Sequence, residues 1–488
     1  MTVTAPTPTE TVPPAPAPHR FARWPVGVVA GLVAAAHLAV AWIPGWWFDE
    51  ALMLAIGRHH LDWGSVDQPP LTPLIAALAD LLAPGDVLVL RLPAVAATAA
   101  SVVLAALIAR ELGGDARAQT LTAIGQATGI WTAVTGHWLT PYTLEPVTWL
   151  AVGWLLVRWW RVRDDRLLLA LGVVVGVAAQ TKFQVLLLAA VLVLSVAVLG
   201  PRALLRRPRL WVGAGIATVV AAPTLVWQAL HGWPQLQMGP VVASEAASLY
   251  GGRGGVMVGM LVSAGVVGLP LVLVGLVRLV RDPALRDLRY LALAAVLLYA
   301  VFSITVGRPY YLVGLYGLLG AVGAVGLQRR REAGHRRGRW LALPASVLAV
   351  AAAAAMVALS VTIAAPTVAD RITAATTRAY AELPPGQREH TAVMAESYIS
   401  AAFLDVVPAE GTLPPVRSSN RSYGWFPPPS DDVHAVLYVG ADADELRPWF
   451  ADVRPVGDTG TETRLWLATG RQVSWGDFWP SLRHLDVG

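Results

Sequence analysis

Long apolar runs separated by short polar breaks organise this chain. The runs fall at about residues 25–43, 87–109, 119–134, 144–160, 167–179, 183–199, 210–230, 256–280, 288–306, 310–327 and 340–365. A helix needs roughly 20 apolar residues to cross a bilayer. The pattern therefore predicts a mainly α, polytopic membrane protein with about eleven transmembrane helices, those between 119 and 199 being shorter or polar-spotted. Residues 1–23 are rich in Pro, Thr and Ala without apolar periodicity and read as a disordered tail. His19, Arg20 and Arg23 resemble the basic start of a signal peptide. The first run is long, however, and leads straight into the aromatic, acidic stretch Trp46-Trp47-Phe48-Asp49-Glu50, which predicts a retained span.

The cations follow the same division. Of 37 Lys and Arg residues, 22 fall before the first run or in alternate breaks, five in the intervening breaks or span ends, and ten after the last run. The positive-inside rule then puts the N-terminus in the cytoplasm, and an odd number of spans puts the C-terminal region outside. The long outer segments are 44–86, 230–255 and 366–488. The last has strand-like runs at 434–439 and 463–468 and a turn at Pro427-Pro428-Pro429, predicting a small extracytoplasmic α/β domain. No internal repeat is visible, which disfavours a transporter built from matching halves.

Composition agrees: 55% of residues are hydrophobic and 14% charged, with a mean hydropathy of +0.55, against roughly 25% charged in a soluble domain. The absence of cysteine rules out disulfides and thiolate metal sites. The net charge of +5 is accounted for by topology and does not indicate nucleic acid.

Candidate chemistry gathers at the outer boundary. The first loop holds Asp49, Glu50, Arg58, His59, His60, Asp62, Asp67 and Gln68. Residues 49–60 have a helical pattern, predicting a helix along the interface with both acids at its N-terminus, where the macrodipole favours negative charge. The Asp, Glu and His side chains are suitable ligand types for a divalent metal. Their spacing is not diagnostic and adjacent His59 and His60 do not easily face one ion, so a divalent metal stays an open alternative and no cofactor is specified. Lys182, the one lysine, lies in the polar break Gln180-Thr181-Lys182-Phe183-Gln184; Arg308 lies in Gly307-Arg308-Pro309-Tyr310-Tyr311. Two isolated cations on the side that avoids cations read either as snorkelling side chains or as contacts for a phosphate at membrane depth. Glu145 begins a span beside His137-Trp138 and reads as a first-turn acid or a site residue. Trp227-Gln228 and His231-Gly232-Trp233-Pro234 form an aromatic turn that lines a groove or anchors the interface.

The order of these motifs resembles a known family. Phe48-Asp49-Glu50, then Trp63-Gly64-Ser65-Val66-Asp67-Gln68-Pro69-Pro70-Leu71, Gln180-Thr181-Lys182, Trp227-Gln228 with His231-Gly232-Trp233-Pro234, and Gly307-Arg308-Pro309-Tyr310-Tyr311 resemble the bacterial protein-mannosyltransferase-like, aminoarabinose-transferase-like branch of the integral-membrane C-type glycosyltransferases. The resemblance runs from about Trp24 to Leu327 and extends weakly to Ser422-Tyr423. It implies an inverting transfer of a sugar from a polyprenyl-phosphate carrier on the outer face of the plasma membrane. It maps the family's first-loop acid onto Asp49, with Glu50 beside it, and its mid-chain lysine onto Lys182. Three positions depart from the family: Gln68 stands where His often precedes Pro-Pro, Arg308 where Lys precedes Pro-Tyr-Tyr, and Glu145 where Asp is usual.

Together these readings give residues 24–365 as a transmembrane glycosyltransferase domain. Asp49 and Glu50 are the catalytic candidates, Lys182 and Arg308 the donor-phosphate ligands. His59, Asp67, Gln68, Glu145, Tyr310 and Tyr311 are expected to line the substrates. The acceptor would be a hydroxyl on a protein, lipid or wall polymer. A polyprenyl-linked lipid flippase or transporter is the alternative; a non-catalytic scaffold leaves the clustering of ionisable groups in the first loop unexplained.

Overall fold

The computed structural model describes residues 19–335, 342–364, 366–408 and 412–486. Of the expected tail at 1–23, residues 1–18 lie outside the described residues, as do Arg336, Arg337 and Arg339, and Arg23 already belongs to the first helix. In chain order the first helices are α1 (Arg23–Ala41), α2 (Phe48–His59), α3 (Leu71–Leu82), α4 (Val87–Glu111), α5 (Ala116–Ala127), α6 (Ile130–Thr135), α7 (Pro141–Val162) and α8 (Arg166–Ala179). They continue as α9 (Gln184–Leu199), α10 (Pro208–Leu230), α11 (Pro234–Tyr250), α12 (Gly252–Val262), α13 (Gly265–Arg281), α14 (Arg289–Ile304), α15 (Val313–Glu332) and α16 (Ala342–Ile363).

Five described helical segments are long and apolar enough to cross a membrane, and a sixth if α12 and α13 form one span. The chain is a multi-pass membrane protein. The described residues of the eleven apolar runs are mostly helical, but not all as single spans. The run at 119–134 breaks into α5 and α6 at Thr128-Gly129, where the amide of Ile130 donates to Ser263 O at 3.1 Å. The run at 256–280 bends by 88° between α12 and α13, at Gly265, whose φ of +77° suits glycine. Helices α8 and α9 have 14 and 16 residues, short of a full crossing.

Small residues let the helices meet closely, as expected where lipid supplies no hydrophobic drive between helices. A Cβ on Gly323 of α15 would lie 2.0 Å from the backbone oxygen of Leu271 in α13. Gly323→Ala is expected to force these helices apart and cost about 1–3 kcal/mol, read as a lower midpoint of thermal unfolding in detergent; an unchanged midpoint would show that the interface yields freely.

The C-terminal region comprises α17 (Thr367–Glu382), α18 (Pro385–Arg388), β1 (Thr391–Ala395), α19 (Tyr398–Val406), α20 (Arg421–Gly424), β2 (Ala435–Gly440), β3 (Phe450–Asp458), β4 (Arg464–Arg471) and α21 (Trp475–Leu482). The sheet order is β1-β2-β4-β3, with β1 parallel to β2 and the other pairs antiparallel. The two expected strands correspond to β2 and β4. One apolar cluster carries Trp475, Phe478 and Trp479. The other is continuous with the membrane region: Tyr398, Ala401 and Ala402 of α19 share it with Leu52, Met53 and Leu54 of α2.

This packing corrects the sequence expectation for α2. Every residue from Glu50 to Ile56 is buried, so α2 is not an interfacial helix with one face in lipid. It is covered by α19 on one side and backed by α3. The first loop also contains more regular structure than expected, because α3 follows Pro69-Pro70 directly.

Candidate active site

The first turn of α2 divides the two acids. Consecutive helical residues point roughly 100° apart, so Asp49 and Glu50 enter different surroundings. Glu50 is fully buried and paired with Arg91 of α4, itself 2% exposed, at 2.7 Å. The Arg91 guanidinium also donates to Ala41 O at 2.9 Å, Ile43 O at 3.2 Å and Gly45 O at 2.7 Å, and the amide of Leu139 donates to Glu50 at 3.2 Å. Glu50 is therefore a structural anchor between α1, α2 and α4. Its expected catalytic place is corrected by this sequestration.

Asp49 remains half-buried. Tyr142 of α7 donates its hydroxyl to the carboxylate at 3.1 Å, and the indole N–H of Trp47 donates to that same hydroxyl oxygen. Trp47 is held in turn by stacking on Trp138, with ring centroids 4.5 Å apart. Burial first, and then the negative charge of Asp67, push the Asp49 carboxyl up to about 6; the Tyr142 hydrogen bond, Arg421 and Arg308 oppose the rise.

Three distant stretches interlock beside it. The amide of Leu71 donates to Gln180 O at 2.9 Å, joining the Pro-Pro motif to the Lys182 break. Gln228 donates to Ser65 O at 3.0 Å and Trp227 to Asp62 at 2.8 Å. Gly64 permits this approach, since a Cβ there would sit 3.0 Å from the Trp227 ring. Lys182 Nζ lies 3.4 Å from Glu145, 4.6 Å from the centre of the Tyr311 ring and 5.1 Å from that of Tyr310. Burial pulls the Lys182 ammonium below the usual lysine range, and the Glu145 carboxylate opposes that fall. Arg308 pairs with Glu245 of α11, and its Nη1 is buried without a hydrogen-bond partner among the described residues.

Asp67 accepts a hydrogen bond from Ser422 at 2.7 Å, which brings the C-terminal region into the site. Gln68 presents a buried side-chain oxygen with no partner among the described residues, as does Glu145 with its Oε1. Asp49, Lys182, Arg308, Asp67, Gln68, Glu145, Tyr310 and Tyr311 thus lie at one end of the helical bundle. His59 does not join them. It is exposed at the far end of α2, ten residues and roughly 15 Å along the helix from Asp49. Its neighbour His60 stacks on Phe426 with ring centroids 3.8 Å apart, and burial holds its imidazole down to about 3. It packs as a neutral aromatic. Among the described residues no three His, Asp or Glu side chains converge as metal ligands.

Tyr142, Glu245 and Arg421 were not singled out in the sequence. Two of them carried a signal. Glu245 is the lone acid in the otherwise uncharged stretch 230–252; Arg421 adjoins Ser422-Tyr423, where the family resemblance re-emerges.

Comparison with known proteins places the fold. Residues 67–227 match the family model described as dolichyl-phosphate-mannose-protein mannosyltransferase. No curated protein sequence matches the chain. The fold is similar to that of ArnT from Cupriavidus metallidurans bound to undecaprenyl phosphate, at 15% identity over 92% of this chain and 98% of that one, with a TM-score of 0.61. Its apo form gives 13% identity, 94% and 98% coverage, and a TM-score of 0.63. The archaeal oligosaccharyltransferase AglB from Archaeoglobus fulgidus, in complex with an inhibitory peptide and a dolichol-phosphate, is more distant: 12% identity, 80% and 64% coverage, TM-score 0.50. The chain thus carries, in its central segment, a match to that mannosyltransferase family model, and over nearly its whole length it is similar in fold to ArnT.

Proposed function

We propose that the chain is an inverting glycosyltransferase that moves a sugar from a polyprenyl-phosphate donor to a hydroxyl acceptor on the outer face of the plasma membrane. The observation that carries this reading is the meeting of one half-buried carboxylate, Asp49, with two cations, Lys182 and Arg308, from breaks far apart in the sequence. The likeness to ArnT, whose structure holds undecaprenyl phosphate, supports the choice of donor. The alternation of cations between loops supports an outward-facing site, with about eleven crossings and the C-terminal α/β domain on the same side.

The donor's lipid tail lies in the bilayer and its phosphate meets Lys182 and Arg308. Asp49 takes the proton of the acceptor hydroxyl. The hydroxyl oxygen bonds to the anomeric carbon from the face opposite the phosphate. The carbon–oxygen bond to phosphate breaks, and its electron pair leaves on the phosphate oxygen. That oxygen has a low pKa, so no carboxylic acid has to protonate it, in contrast to the paired carboxylates of glycosidases. Positioned cations stabilise its growing charge.

The test is turnover by the purified protein in liposomes supplied with a polyprenyl-phosphate-linked sugar and an envelope acceptor fraction. A new glycosidic bond of inverted configuration is expected. Movement of the donor between leaflets without bond formation would replace this reading with a flippase. Lys182→Ala is expected to lower kcat by about 10²–10³-fold and to weaken donor binding; unchanged kcat and donor KM would remove Lys182 from the phosphate.

A further inference from the structure

Glu245 stands between two guanidiniums that come from opposite parts of the chain. Its Oε2 accepts from Nη2 of Arg308, in the Pro-Tyr-Tyr loop, and its Oε1 accepts from Nη2 of Arg421, in the C-terminal region. A carboxylate bridging two guanidiniums offers each one oxygen, as a phosphate does. The remaining Nη1 of Arg308 is buried and has no partner among the described residues.

Arg421 is held by partners other than the acid. Arg421 is 8% exposed and adopts φ +46°, a left-handed backbone that an arginine holds only where its surroundings impose it. Those surroundings are visible: its amide donates to His484 O at 2.8 Å, its Nε to Leu485 O at 3.2 Å, and its guanidinium lies 4.6 Å from the centre of the Tyr398 ring. Arg308 is likewise 8% exposed. Glu245, by contrast, rides on α11, which buries only Pro234, Met238 and Ala246 and leaves Leu236 and Leu249 exposed. Glycines with positive φ flank this helix, Gly232 on one side and Gly251 and Gly252 on the other. A small rotation there would withdraw the carboxylate from Arg421, which its partners outside α11 hold in place.

We infer that Arg421 is a second guanidinium ligand for the anionic headgroup and that Glu245 occupies the headgroup's position until it arrives, an inference that rests on the donor-phosphate reading above. The arrangement keeps two close cations compensated in the empty site and releases them to the phosphate. It also favours the reaction direction: the departing phosphate monoester carries about −1.5 to −2 charge at neutral pH, more than the diester donor, so the guanidiniums act most strongly as the bond to sugar breaks. The C-terminal domain thereby becomes part of the donor site.

The experiment is equilibrium binding of undecaprenyl phosphate to the purified full-length protein in detergent, with undecaprenol as the uncharged control. Glu245→Gln keeps the side chain's size and removes its charge. It is expected to tighten undecaprenyl phosphate binding by about tenfold and to leave undecaprenol unchanged. Arg421→Asn, a residue that tolerates left-handed backbone, is expected to weaken phosphate binding by a similar factor, and the gain from Glu245→Gln should shrink when the two are combined. Weaker or unchanged binding in Glu245→Gln would overturn the placeholder role. Unchanged binding in Arg421→Asn would overturn the ligand role; should that variant fail to fold, the same judgement passes to Arg421→Lys, which keeps the charge but loses the planar fork and is expected to fall between wild type and complete loss. If Lys182→Ala and Arg308→Gln also bind as wild type, and undecaprenol binds as tightly as undecaprenyl phosphate, the donor-phosphate reading itself falls.

Discussion

Asp49→Asn is expected to lower kcat by about 10²–10⁴-fold while the affinity for donor changes little. The amide keeps the size of the side chain and accepts the Tyr142 hydrogen bond, but it has no lone pair basic enough to take a proton from an alcohol. The wild-type pH profile should identify the group. Burial and the charge of Asp67 raise the Asp49 carboxyl to about 6, and a general base works only when ionised. Activity should therefore rise with pH through about 6 and level off above it. An ordinary surface aspartate would place that limb near 4. The raised value is useful, because a stronger base lies closer to the hydroxyl it must deprotonate while remaining ionised at neutral pH. The residual activity of Asp49→Asn should lose the limb near 6. Wild-type rates in the variant, or an unchanged limb, would take Asp49 out of the base role.

The sequence showed the cast of this site better than its geometry. The apolar runs located the membrane helices because lipid demands length and apolarity from each span. The breaks between them exposed Lys182 and Arg308, since an isolated cation at a span end is conspicuous. The pattern could not show which of two adjacent acids faces the cavity. That depends on the rotation of α2 against α4, and α2 is buried so thoroughly that its hydrophobic pattern has no polar face to reveal it. For the same reason α2 reads as an interfacial helix when its outer cover, α19, lies some 350 residues later. His59 was drawn into the expected site by proximity in sequence, and helical rise carries it away. Strand β1 escaped notice because it is buried throughout and has no alternation; β3 escaped because it is largely exposed and contains Pro455. Glu245 and Arg421 each carried a faint signal, but their pairing was hidden by distance along the chain.

The other large effect belongs to Arg91, and it is expected in stability. Helix α1 ends at Ala41, leaving carbonyls without intrahelical partners. Arg91 accepts this task for Ala41, Ile43 and Gly45 while gripping both oxygens of Glu50. Five acceptors surround one guanidinium, and both members of the ion pair are out of contact with solvent. Arg91→Met removes the positive charge and strands a buried carboxylate, which should cost about 3–5 kcal/mol. Arg91→Lys should recover only part of this, because a point charge with three donors cannot span the fork's acceptors. Pairing Arg91→Met with Glu50→Leu should restore much of the loss, since a buried ion pair can be exchanged for apolar packing at small net cost. Thermal unfolding in detergent, read with turnover, then separates the neighbouring acids by kind. Asp49→Asn should lose most of its turnover and unfold at the wild-type temperature, whereas Glu50→Gln should unfold earlier while the fraction still folded retains turnover. A Glu50→Gln protein of full stability and no activity would reverse the two assignments, because it would mean that the carboxylate locked against Arg91 takes the proton and the one beside Tyr142 does not.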